Sequence, residues 1–172
     1  GQASVYCWLS YVQPIMTDVA HFPASSMTLI MVLAGAGMVV GNFAAGKLSD
    51  RFSAPLVSGC IAAGLFFVMP AVYLCAAMKL PSLIFTFIAT AGLFGVGGPL
   101  QYIIVKYAKG GEMLGGAGIQ IAFNVSNATS ASLGGMAINQ GWGLASPALV
   151  GVPFAAIGAV ALFILYHRSK RV

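Results

Sequence analysis

Charge is nearly absent from this chain, and where it occurs it is clustered. Eight Lys and Arg and three Asp and Glu are spread over 172 residues, and they fall almost entirely in short groups. The groups divide the sequence into six long apolar stretches: 3–20, 27–46, 55–78, 82–105, 113–138 and 147–166. A helix needs about 20 predominantly apolar residues to cross a hydrocarbon core of roughly 30 Å, because a backbone in lipid must satisfy its hydrogen bonds within itself. Each stretch is of that order. A soluble domain with one core would show amphipathic periods, whereas here 59% of residues are hydrophobic and no stretch offers water a charged face. The expected fold is an all-α membrane protein of six transmembrane helices across residues 1–172.

The positive charges alternate from one connection to the next. With six spans both termini lie on one side, and that side collects Lys47, Arg51, Lys106, Lys109, Arg168, Lys170 and Arg171, against Lys79 alone on the other. Basic segments remain in the cytoplasm during insertion, so both termini are expected to be cytoplasmic. The same distribution excludes nucleic acid as a partner, since no basic face exists. The chain opens on Gly1-Gln2 without an initiator Met or a cleavable leader and enters an apolar stretch at once, which reads as a piece of a larger protein. Cys7, Cys60 and Cys75 are scattered, without metal-ligand spacing, and are expected to pack rather than bind; no cofactor is expected.

Within a membrane the polar residues are the informative ones. Tyr6, Ser10, Gln13 and Thr17 fall at i, i+4, i+7 and i+11, one stripe of a helix, with Tyr11 and the helix breaker Pro14 beside them. The fourth stretch repeats the theme with Thr86, Thr90, Gly97 and Gln101, and its run Gly92 to Pro99 is expected to loosen the helix. Gln120, Asn124 and Asn127 form a third stripe. Amides are costly against lipid, so these faces should turn inward, either to line a cavity or to hydrogen-bond between helices. Repetition across three stretches favours the cavity. Glycines in the second and fifth stretches fit close helix approach. Pro14 and Pro99 lie about two-thirds along the first and fourth stretches, which suggests a three-plus-three repeat of inverted topology.

The sharpest local signal is Gly46-Lys47-Leu48-Ser49-Asp50-Arg51-Phe52-Ser53-Ala54-Pro55. It resembles the cytoplasmic loop motif of the major facilitator superfamily, roughly G-x-L-x-D-R-x-G-R-K: Gly46, Leu48, Asp50 and Arg51 match, Ser53 replaces the second glycine, and the trailing basic pair is missing. Such decay is usual in the second-half copy. Ile121 to Ala128 with Leu133-Gly134-Gly135 is similar to a run in the eleventh helix of bacterial drug and sugar efflux permeases, and Tyr11 to Met16 is similar to a segment of their seventh. The resemblance implies the C-terminal half of a twelve-helix fold in the bacterial inner membrane. Its partners would be a small-molecule substrate, the N-terminal six-helix half, the bilayer and protons.

On that resemblance Tyr6, Ser10, Tyr11, Gln13, Thr17, Thr86, Thr90, Gln101, Gln120, Asn124 and Asn127 line the substrate cavity, and Gly46, Asp50 and Arg51 form a gating loop. Asp50, expected just past a helix C-terminus, needs a partner because the macrodipole there is already negative. Asp18, near His21, could carry protons or cap a short turn; the main carrier is expected in the other half. The rival reading is a self-contained six-helix channel or oligomeric pore, though the paired Asn-Pro-Ala turns of one channel type are missing. A membrane enzyme is not expected, since serine, aspartate and zinc signatures of intramembrane proteases are lacking.

Overall fold

The computed structural model describes residues 1–108 and 110–169, and among these every regular element is helical. Lys109, Lys170 and Arg171, three of the cations counted for the topology, lie outside the described residues. The first stretch holds α1 (Gln2–Leu9), a short α2 (Val12–Pro14) and a π-helical turn (Ile15–Val19). A 3-10 turn (Ala24–Ser26) leads into α3 (Met27–Arg51), followed by α4 (Ala54–Leu74), α5 (Lys79–Tyr107), α6 (Glu112–Asn139) and α7 (Pro147–Ser169).

Four helical segments are long and apolar enough to cross a membrane: Ala24–Arg51, Ala54–Leu74, Lys79–Tyr107 and Pro147–Ser169. The other two expected spans differ for separate reasons. α6 is long enough at 28 residues, but Gln120, Asn124, Asn127 and the hydroxyls from Ser126 to Ser132 dilute its apolar content. The first stretch is not one helix. Pro14 has no N–H to donate to Ser10, four residues back, and its ring crowds that carbonyl. The chain breaks there: Tyr11 N–H donates to Trp8 O at 2.9 Å, a tight turn, and Ala20 N–H reaches back five residues to Ile15 O at 3.0 Å. Pro99 has no such effect, because α5 runs unbroken through it. The expected loosening does not occur.

The second stretch also departs from expectation, since α3 continues through Gly46, Asp50 and Arg51 instead of ending at Gly46. Nothing between Gly46 and Arg51 opposes a helix. The stop comes at Phe52 and Ser53, both extended, with Pro55 in the first turn of α4, where its missing N–H costs nothing. The expected loop residues are thus the last two turns of a helix.

The contacts form a paired plan. α3 packs on α5 and α6 on α1, α4 on α5 and α7 on α1, while α4 and α7 meet across the middle. Several of these seams are built on glycine. A Cβ on Gly37 would lie 2.6 Å from Phe87 O, and one on Gly41 would collide with the Ala91 backbone, so α3 and α5 touch main chain to main chain. Gly134 plays that part in α6, where a Cβ would lie 2.9 Å from Cys7 O. The core between the seams is apolar, centred on Val5, Trp8, Ile15, Met16, Met69, Leu93 and Val96.

Candidate functional site

Four helices bring amide side chains to one place. α1 supplies Gln2 and Tyr6, one turn apart; α3 supplies Asn42; α5 supplies Gln101; and α6 supplies Gln120, Asn124 and Asn127. With Phe94, Gly97, Gly98 and Phe123 they line a cavity of about 280 Å³. None of these residues carries charge at neutral pH. The cavity is therefore rich in donors and acceptors, flanked by two phenyl rings, and electrically neutral, a combination suited to an uncharged polar or amphipathic solute.

Glycine makes the convergence possible. A Cβ on Gly97 would collide with the Gln2 amide nitrogen, and one on Gly98 would sit 2.5 Å from Asn42 Oδ1. The two glycines of α5 thus form shelves on which amides from α1 and α3 rest. Deeper in, Asn127 Oδ1 is buried and has no hydrogen-bond partner among the described residues. A buried acceptor left unpaired costs about 1–3 kcal/mol, which a donor on a bound molecule would recover.

Of the residues expected to line the cavity, Tyr6, Gln101, Gln120, Asn124 and Asn127 come together and six do not. Ser10 and Gln13 line a separate cleft of about 710 Å³ with Thr28 and Met31; Ser10 is still on the helical path of α1, its N–H donating to Tyr6 O at 3.2 Å, and the break at Tyr11 comes before Gln13. Tyr11 packs against α6, its hydroxyl donating to Ala131 O at 2.8 Å. Thr17 bonds to Gln13 O and to Asp18 Oδ1 near the π-helical turn. Thr86 and Thr90 are fully buried, donating to Ser82 O and Thr86 O within their own helix. They share the face of α5 that bears Gln101, but at a level where α3 and the core cover it.

Sequence reasoning passed over Gln2 and Asn42. A signal existed for each: Gln2 precedes Tyr6 by one turn, and Asn42 is an amide inside an otherwise apolar helix, which requires a polar neighbour.

A second cleft, about 710 Å³, adjoins the first through Asn42 and Gly98, which border both. It contains Gly46, Lys47, Asp50 and Tyr102. Asp50 and Arg51 are exposed and form no ion pair among the described residues. Arg51 is not part of this cleft. Cys7 is buried and donates to Ser130 O at 3.2 Å, a packing role. Asp18 and His21 are both exposed.

No protein-family model matches the chain, and no solved structure matches it. Curated relatives do. "Putative transporter AraJ" of Escherichia coli (strain K12) is 40% identical over 173 residues, covering 99% of this chain and 44% of that protein. "Inner membrane transport protein YdhP" of Escherichia coli O157:H7 is 27% identical over 171 residues, 99% of this chain and 43% of its own length. "Uncharacterized MFS-type transporter YfhI" of Bacillus subtilis (strain 168) is 32% identical over 143 residues, 81% of this chain and 35% of its own. The chain spans less than half the length of each of these relatives.

Proposed function

We propose that this chain, a homologue of MFS-type transporters along most of its length, is the C-terminal six-helix half of a twelve-helix secondary transporter. The whole protein would export a small uncharged solute, such as a sugar or a drug, by proton-coupled alternating access in the bacterial inner membrane. The observation that carries this reading is the neutral cavity to which α1, α3, α5 and α6 each contribute an amide. Amides used only to join helices would be paired with one another, yet no side-chain hydrogen bond of Gln101, Gln120 or Asn124 to a described residue is formed, and all three are exposed.

The missing half would close the open side of the cavity. Substantial apolar area on α3 and α6 supports this, with Val39, Val40 and Phe43 on one and Ile121, Val125 and Met136 on the other at least half exposed. The paired contact plan of α1, α3, α4 with α5, α6, α7 agrees with an inverted repeat. The cleft beside the cavity, with Asp50 and Lys47, would serve as the gate on the side where α3 ends, Arg51 flanking it. Among the described residues no acid lines the neutral cavity, and on this reading the proton carrier would be in the other half.

Labelling tests the reading. In the full-length protein with Cys7, Cys60 and Cys75 replaced by Ala, Gln120→Cys and Asn124→Cys should react with a water-soluble maleimide, and a transported solute should protect both. Failure of both positions to react would remove the cavity, and reaction without protection by any transported solute would separate it from transport.

A further inference from the structure

On a different face of α3 and α5 from the amides, Gly41, Ala44 and Leu48 of α3, Gly64 of α4, and Ala91 and Gly92 of α5 line a groove of about 320 Å³. Every residue along it is glycine, alanine or a branched aliphatic. Its glycines do not all have one cause. Gly41 admits the Ala91 backbone, whereas a Cβ on Gly64 would meet nothing within 4 Å. No helix among the described residues fills the space at Gly64. The rim is open, with Leu48 47% and Ile88 41% exposed, so the groove faces whatever surrounds the bundle.

Its end is charged. Ala44, Leu48 and Arg51 fall at i, i+4 and i+7 on the continuous helix α3, which sets Arg51 on the groove's own stripe one turn beyond its last apolar residue. Lys47 flanks it. Asp50, the nearest acid in sequence, lines the cleft on the other side of α3. Arg51 and Lys47 enter no ion pair among the described residues. An apolar groove ending at a guanidinium without an ion-pair partner among the described residues complements a chain of methylenes ending in a phosphate.

We infer that this groove holds one acyl chain of an anionic phospholipid, with the headgroup phosphate against Arg51. The inference requires only that the chain lie in a bilayer and does not depend on the transport reading. A protein surface would be a poorer occupant, since the groove holds only about 320 Å³ and Arg51 beyond its end has no ion-pair partner among the described residues.

Native mass spectrometry of the purified full-length protein, from micelles containing phosphatidylglycerol or phosphatidylcholine at equal concentration, reads retained lipid directly. Wild type should retain phosphatidylglycerol over phosphatidylcholine. Arg51→Gln should lower that preference about fivefold, the factor expected for one basic residue at an anionic headgroup. Gly64→Leu, whose added atoms enter open space, should lower retention of both lipids with unchanged helical circular dichroism. Equal retention of the two lipids by wild type overturns the headgroup assignment. Unchanged retention in a folded Gly64→Leu variant overturns the groove as the binding place. Should Gly64→Leu not fold, an unaltered preference in Arg51→Gln, an exposed surface change, overturns the proposal by itself.

Discussion

Two polar stripes with the same helical spacing end in different places. Gln120, Asn124 and Asn127 all reach the neutral cavity, whereas of Tyr6, Ser10, Gln13 and Thr17 only Tyr6 does, Ser10 and Gln13 lining another cleft. The difference lies in the backbone. α6 is continuous for 28 residues, so one turn predicts the next. The first stretch changes from α-helix to a tight turn to a π-helical turn within a few residues, and each change rotates the later side chains relative to Tyr6. A stripe read from spacing is as good as the continuity of the helix beneath it.

Continuity is maintained from outside as well. α6 is set against α1 by Gly134, whose Cβ would sit 2.9 Å from Cys7 O and 3.1 Å from Tyr11 Cε2. Overpacking there must move a backbone, because the nearest atom is a carbonyl oxygen and not the tip of a flexible side chain. The largest expected effect is therefore for Gly134→Leu, a loss of about 3 kcal/mol. Gly118 on the same helix has nothing within 4 Å of an added Cβ, and Gly118→Ala should instead gain about 0.8 kcal/mol through helix propensity. Thermal unfolding of both variants in detergent checks the contrast. Equal effects would mean that the α6 stripe is not held by the seam.

The break can be attacked directly. It has two supports, the missing N–H of Pro14 and the Tyr11 hydroxyl bonded to Ala131 O at 2.8 Å. Pro14→Ala restores one backbone hydrogen bond and should stabilise by about 1 kcal/mol, but Tyr11 still ties the turn to α6. Removing both, in Pro14→Ala with Tyr11→Phe, should let α1 continue and bring Gln13, two turns beyond Tyr6, onto the cavity face. Gln13→Cys in that background should become protected by transported solute. If Gln13 keeps its wild-type accessibility, the break has another cause.

Much of this architecture was legible in the sequence, and the rest was hidden for identifiable reasons. Apolar length placed α3, α4, α5 and α7 to within a few residues at most ends, because burial against lipid leaves a chain few alternatives. The α6 stripe was legible because amides in an apolar helix must converge. The break was not, since Pro70, Pro99 and Pro153 lie inside continuous helices and only Pro14 interrupts one. Which proline breaks a helix depends on what the neighbouring helices hold in place, as Tyr11 illustrates. Gly97 and Gly98 looked like weak points of α5 and proved to be seats for Gln2 and Asn42, a role visible only once the partner helices are in position. Thr86 and Thr90 share a face with Gln101, yet α3 and the core cover that face at the level of the threonines and leave the amide exposed further along.

The smallest expected effect on stability gives the finest discrimination. Asn124 on the continuous stripe and Gln13 beyond the break are both exposed amides on helical segments, so truncating either should cost no more than about 0.6 kcal/mol. Stability alone will not separate them. Function should, because Asn124 belongs to the neutral cavity and Gln13 to the cleft with Thr28 and Met31. Asn124→Ala removes a donor and an acceptor from a solute in that cavity and should weaken its affinity about tenfold, the equivalent of one good hydrogen bond of about 1.4 kcal/mol. Gln13→Ala should leave affinity unchanged. Equilibrium binding of a transported solute to the two full-length variants, alongside their thermal midpoints, measures both quantities. Should Gln13→Ala weaken binding as much as Asn124→Ala, the first stretch must straighten when solute is bound, and its stripe would then be as functional as that of α6. Should neither variant alter affinity, the amides are joints between helices and the neutral cavity is not where the solute sits.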